Sequence, residues 1–232
     1  MARITRKELK SDKFAQDVGL TVTFFEEHKQ EIVRYGTIAL AVAVLVVGYS
    51  VYARHQHAAR QEALYAAISA QEAPVGPASP GALSFPTQDA KDQQALKLFG
   101  DVRNNYSGSD EAVVAAYYMG AIHSDEGKLA EAEKDFLEAS QKGDAQYAGL
   151  ARLSLAQVYF AEGRAAQAEA MLRQLMAKPT VFVSKEEATI MLARYLGPTK
   201  PDEARKLLEP LMKLPGSVGQ VAINANASLS KQ

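Results

Sequence analysis

No cysteine occurs among the 232 residues, which excludes disulfides and thiolate metal sites but leaves the compartment open, because many exported proteins also lack cysteine. Tryptophan is missing as well, so any aromatic contact must come from Tyr or Phe. Neither sign of charge is in excess. The 26 basic and 27 acidic residues leave a formal net charge of −1, which offers no global field for nucleic acid or an acidic surface. Strand-favouring runs are few and alanine is frequent, a composition that points to helix. No Gly-rich loop follows a predicted strand, and there is no nucleophile elbow. The four histidines are His28, His55, His57 and His123. His55 and His57 lie two residues apart, so on a helix they point away from each other, which is poor geometry for a metal. No catalytic, cofactor-binding or metal-binding constellation results, and the reading is non-enzymatic.

What the chain does have is one long hydrophobic run. From Tyr35 to Ala53 there is no charged residue. At helical rise this stretch spans roughly 28 Å, the hydrocarbon thickness of a bilayer. Arg34 and Arg54 bracket it, and Tyr35, Tyr49 and Tyr52 stand near its ends, where interfacial aromatics belong. Two other readings compete. A buried core helix would need complete wrapping by the remaining helices. A cleaved signal peptide would find a small-residue site at Val51 and Ala53, but the preceding segment is long and of mixed charge, and the run exceeds a signal core. Orientation follows from Arg3, Arg6, Lys7, Lys10, Lys13, Lys29 and Arg34 before the run, against only Arg54 and Arg60 in the twenty residues after it. The positive-inside rule places the N-terminus in the cytoplasm and the C-terminal part across the membrane.

Four regions follow. Residues 1–34 form a cytoplasmic segment in which Phe14, Val18, Phe24 and Phe25 give weak amphipathicity, fitting either a surface helix or a flexible tail. Residues 35–53 are the transmembrane helix. Residues 54–87 hold a membrane-proximal helix, with Leu64, Tyr65 and Ile68 expected on one face, and then a linker rich in Pro and Gly (Pro74, Gly76, Pro77, Pro80, Gly81 and Pro86) that no helix survives. Residues 88–232 form a helical domain with a C-terminal capping helix.

That last region repeats. Ala132, Ala168 and Ala204 stand 36 residues apart; each is followed four residues later by Phe136, Leu172 or Leu208, and three beyond that by Ala139, Leu175 or Leu211. Gly127 and Gly163 precede the first two trios, and Gly197-Pro198-Thr199-Lys200-Pro201 precedes the third. A small residue lets the paired helix approach, the large one fills the space a turn later, and Gly makes the tight turn. One hairpin cannot bury its apolar face alone, so neighbours stack.

The pattern resembles the tetratricopeptide repeat. Gly120, Gly127, Ala132, Phe136 and Ala139 match the first unit, and Leu155, Ala156, Tyr159, Gly163, Ala168 and Leu172 the second. The third keeps Tyr195, Ala204 and Leu208, and the segment from Gln88 to Asn104 looks like half of an earlier unit through Ala95, Phe99 and Val102. The family's helix-opening Trp is absent, with Arg152 in its place in the second unit. The expected fold is all-α: one transmembrane helix followed by a short tetratricopeptide-like helical-hairpin solenoid. The resemblance implies a groove lined by the first helix of each hairpin, through Val114, Tyr117 and Ala121, then Leu153, Gln157 and Phe160, then Thr189 and Ala193. The family's basic clamp for a C-terminal carboxylate needs Lys, Arg and Asn at such sites, and these positions are apolar or neutral. The groove therefore suits an apolar segment, unless the linker with Leu83 and Phe85, or the C-terminal residues with Val218, Val221, Ile223 and Leu229, cover it.

A charged tail, one span and an exported array also resemble the YfgM-like family of bacterial inner-membrane proteins, down to Phe24-Phe25-Glu26-Glu27-His28-Lys29 before the span. This resemblance implies a periplasmic repeat domain beside the Sec translocon, with translocon subunits, chaperones or exported clients as protein partners. The alternative is a structural scaffold of a cell-envelope or division complex.

Overall fold

The computed structural model describes residues 29–77 and 81–229. The amphipathic reading of Phe14, Val18, Phe24 and Phe25 lies outside them. The chain divides into two compact units, Met1–Ala58 and Ala59–Gln232. The described residues form α1 (Lys29–Glu72), α2 (Gln88–Asn105), α3 (Asp110–Asp125), α4 (Leu129–Lys142), α5 (Ala145–Ala161), α6 (Ala165–Ala177), α7 (Lys185–Leu196), α8 (Pro201–Met212) and α9 (Ser217–Leu229). The linker before α2 is pinned by an isolated bridge between Val75 and Phe85, in which the Gly76 amide donates to the Phe85 carbonyl at 2.8 Å.

The first unit holds the apolar part of α1, whose most hydrophobic 18 residues have a mean hydropathy of 2.0, with none of them buried. Ile38, Leu40, Val42, Val44, Leu45, Val46 and Val47 are all exposed, Leu45 at 72%. These positions go right round the helix, whereas a helix serving a water-soluble core buries at least one face. The hydroxyls of Thr37 and Ser50 donate to the carbonyls of Arg34 (2.9 Å) and Val47 (2.8 Å) within the same helix, so they need no water. By length and composition, α1 can cross a membrane.

The second unit begins with the end of α1. Ala67 is buried with Ala95, Phe99, Val102, Ala115 and Ile122, and Leu64 and Ile68 pack against them. Tyr65 does not share that face and is 73% exposed. Each helical residue turns about 100°, so a stripe through Leu64, Ala67 and Ile68 leaves Tyr65 beside it. The mating surface is set by the small Ala67 and not by the largest ring.

Helices α3 to α8 are three successive hairpins. Ser109, Asp144 and Ser184 cap α3, α5 and α7, each side-chain oxygen accepting from a backbone amide of the first turn. The second helices α4, α6 and α8 start without a side-chain cap, at Lys128, Arg164 and Lys200, because the turn before them already orients the chain. Gly127 and Gly163 have φ of +74° and +75°, a region that costs other residues strain. The amides of Lys128 and Arg164 then reach back to the carbonyls of His123 (2.8 Å) and Tyr159 (2.7 Å), closing the end of the first helix. The third turn is built differently. Gly197 is helical, at φ −46°, and a Cβ there would run into the side chain of Leu229. It is a packing glycine.

The repeated positions form the core. Ala132, Ala168, Ala204, Phe136, Leu172, Leu208, Ala139, Leu175 and Leu211 are all buried. A Cβ on Gly120 of α3 would meet the Phe136 ring of α4 at 2.8 Å, so glycine there is what allows the phenyl group to fill the interface. Burying one such ring contributes about 2–3 kcal/mol. Leu155, Ala156 and Tyr159 of α5 are buried likewise, and the Arg164 guanidinium lies 4.0 Å from the centre of the Tyr159 ring.

Ion pairs join consecutive hairpins with the same 36-residue period. Arg164 Nη1 meets Glu133 at 2.8 Å, and one repeat later Lys200 Nζ meets Glu169 at 3.2 Å. Arg173 adds Glu203 at 2.5 Å. At such exposure solvent screens the pairs, so the ladder fixes register more than it stabilises.

The last helix, α9, packs on α8 and α7. Gly219, Ala222, Ala225 and Leu229 turn inward, whereas Val221 and Ile223 stay 38% and 45% exposed. The buried stripe is again small, because Gly219 lies against the Leu214 carbonyl with no room for a Cβ. Helix α9 therefore stands beside α7 as a capping helix.

Candidate functional site

The first helices α3, α5 and α7 are flanked on both sides by packed neighbours, so only a narrow strip of each remains open. Val114, Leu153, Thr189 and Ala193 are buried inside the domain. The Thr189 hydroxyl is spent on the Lys185 carbonyl at 2.7 Å. Tyr117, Ala121 and Phe160 are half-buried, and Gln157 is exposed. These four are the expected groove positions that a partner can reach.

Around them the surface is aromatic. Tyr117 lies edge-on to Tyr118 at 5.7 Å and to Tyr147 at 6.1 Å, and Tyr147 lies edge-on to Phe182 at 5.7 Å. Tyr118 stacks at 5.1 Å on the buried Phe99. Near the other end of the first helices, Phe160 stacks face to face on Tyr195 at 3.8 Å. Tyr147 and Phe182 did not follow from the repeat offsets, since one opens α5 and the other sits in the loop after α6. The signal for the second was Val181-Phe182-Val183, an apolar triplet between polar residues. Burial raises the phenol pKa of Tyr118, Tyr147 and Tyr195 above the usual value. All three therefore present neutral rings at physiological pH, suited to apolar contact with a hydroxyl at the tip.

A second cluster is electrostatic. Asp135 of α4 accepts from Arg103 of α2 at 2.8 Å and faces Nδ1 of His123 of α3 at 2.9 Å. Its side chain is only 4% exposed, and Arg103 also holds Glu138 at 2.5 Å. Three helices are tied through one carboxylate, which makes His123 part of an interhelical clamp. Among the described residues no group of three or more His, Cys, Asp or Glu is placed to hold a metal ion.

A cleft of about 490 Å³ opens between α5, α7 and α9. It is lined by Gln157, Ile190, Met191, Tyr195, Val218 and Val221 together with the charged Glu186, Glu187 and Arg194. The C-terminal residues thus form one wall of the open surface. The Gln157 side-chain amide donates to the Met191 sulfur at 3.8 Å, a weak acceptor that leaves the amide free to serve a better one.

A family model described as a tetratricopeptide repeat-like domain matches residues 23–209. No curated protein and no solved structure matches the chain.

Proposed function

Because the chain belongs to the tetratricopeptide repeat-like domain family, we propose that it is a non-enzymatic, membrane-anchored module that holds other proteins beside a translocation channel. The anchor is the uncharged part of α1, residues 35–53 in a bacterial inner membrane. The N-terminal segment stays in the cytoplasm and the repeat domain lies in the periplasm. Its partners are translocon subunits, chaperones or exported clients, as in the YfgM-like proteins. Tethering keeps the domain at high local concentration near the exit of a channel, so weak contacts are enough.

The observation that carries this reading is the aromatic strip. Tyr117 and Phe160 remain accessible on the first-helix surface although both pack against neighbouring rings. Neutral aromatic rings beside an open cleft suit an extended or helical apolar segment. Ala121 and Gln157 complete the accessible part of the groove, while Val114, Leu153, Thr189 and Ala193 support it from beneath.

In vivo crosslinking followed by co-purification tests the proposal. Channel subunits and nascent exported chains are the expected catch, and the Tyr117→Ala/Phe160→Ala variant is expected to lose most of it while keeping wild-type helicity. Recovery of peptidoglycan or division machinery instead would favour the scaffold alternative. Undiminished recovery by the well-folded double variant would remove the groove from the account.

A further inference from the structure

The cleft between α5, α7 and α9 has a charge order that the apolar reading of the groove leaves unused. Glu186 and Glu187 stand in the first turn of α7, and Arg194 in its last turn. The helix dipole favours this arrangement by itself, so the charges alone would mean little. What sets them apart is their setting. On the second helices, Glu133 is paired with Arg164, Glu169 with Arg173 and Lys200, and Glu203 with Arg173. Among the described residues, Glu186, Glu187 and Arg194 take part in no such ion pair, and all three line a cavity of about 490 Å³. That volume is in the ordinary range of ligand pockets. Ile190 and Met191 lie between these charges along α7, and Tyr195 of α7 with Val218 and Val221 of α9 line the same cleft. Val221 is left 38% exposed there although α9 buries its other face.

We propose that this cleft is a docking site for an extended peptide segment whose basic, apolar and acidic side chains follow one another at every second position. The inference rests on the protein-binding reading above and adds the chemistry of the partner. The spacing supports it. Residues 186 and 194 are eight apart on a helix, roughly 12 Å at helical rise. In an extended strand, side chains at i, i+2 and i+4 share one face and cover about 13 Å. A Lys or Arg then meets Glu186 and Glu187, the middle apolar side chain meets Ile190, Val218 and Val221, and an Asp or Glu meets Arg194. The unbranched Met191 adapts to side chains of different shape. Gln157 is positioned to bond the peptide backbone, trading the Met191 sulfur for a carbonyl. Rim pairs of this kind are individually weak, so they select the order and direction of the segment more than they set its affinity.

The test uses the full-length chain in nanodiscs and a fluorescent seven-residue peptide of alternating alanines. Its second, fourth and sixth residues are lysine, leucine and glutamate, and a second peptide exchanges the lysine and glutamate. Fluorescence anisotropy is expected to show the first peptide binding at least tenfold more tightly. The Glu186→Lys/Glu187→Lys/Arg194→Glu variant is expected to reverse that preference. A preference unchanged in the variant, or binding by neither peptide, overturns the proposal. Equal binding of both peptides that is abolished by Val221→Asp also overturns it, but leaves the broader apolar-groove reading standing. Loss of the Tyr117 and Phe160 effect, by contrast, removes that broader reading and not the cleft.

Discussion

The aliphatic side chains in the uncharged run of α1 and those of α3 to α8 have the same chemistry and opposite fates. In the hairpins they recur on defined faces, and Leu155, Leu172, Leu192 and Leu208 end up fully buried. In the uncharged run of α1 they occupy every face, and Leu40, Val44, Leu45 and Val47 are left more than half exposed. The difference lies in patterning and not in hydrophobicity. A helix with apolar stripes finds partners within its own chain. One that is apolar all round needs a surrounding apolar medium, and a bilayer is that medium in the proposed function.

The largest expected effect breaks the comparison on the α1 side. Ala43→Arg together with Val46→Arg places two charges at the middle of the run, at about 3 kcal/mol each in insertion scales. The chain should leave the carbonate-resistant membrane fraction while the repeat domain melts as before. The mirror-image experiment is Phe136→Ala, which empties the space opposite Gly120 and should destabilise the repeat domain by about 3–5 kcal/mol in urea unfolding. Membrane fractionation should not change.

Smaller effects separate the two kinds of glycine. Gly197→Ala puts a methyl group into the side chain of Leu229 and should cost about 1–3 kcal/mol, much of it recovered in the Gly197→Ala/Leu229→Ala double variant. Gly163→Ala strains a backbone at φ +75° and should cost about 1 kcal/mol, with no recovery from Leu229→Ala. Equal coupling in both cycles would contradict the distinction between packing and turn glycines.

The smallest effect is with pH. The hydrogen bond from Arg173, opposed by burial and reinforced by Lys200, holds the Glu169 carboxyl below its ordinary pKa. A group whose pKa is depressed in the folded state stabilises that state above its unfolded value, near 4.3. The contribution is lost as pH falls through the lower folded value. The melting temperature of wild type should therefore fall more steeply than that of Glu169→Gln as the solution is acidified below about pH 4.3. The uncharged run of α1 has no carboxylate to titrate, so membrane association should be unaffected over the same range.

Much of this was legible in the sequence because periodicity reports burial directly. The 36-residue spacing of Ala132, Ala168 and Ala204 located the second helices. The same period runs through Lys128, Arg164 and Lys200 and through Glu133 and Glu169, a readable sign of the ion pairs between hairpins that attention to apolar residues passes over. What was not legible depends on which of two faces packs. Tyr65 and Val221 are large and apolar, yet Ala67 and Ala222 are the residues that mate, because close helix approach favours small side chains. Offsets along the first helices pointed to Tyr117 and Phe160 as groove positions, but did not show that Val114 and Ala193 lie beneath the surface. That distinction depends on how tightly the neighbouring helices close over them. The cleft also needed α9, whose place beside α7 no repeat position announces.

The central claim is that α1 separates a cytoplasmic N-terminus from a repeat domain on the other side of the membrane. Protease protection on cells with a permeabilised outer envelope tests it most directly. The account predicts that an added protease removes an epitope fused after residue 232 while one fused before residue 1 stays protected. A protected C-terminal epitope, placing the repeat domain in the cytoplasm, would contradict it.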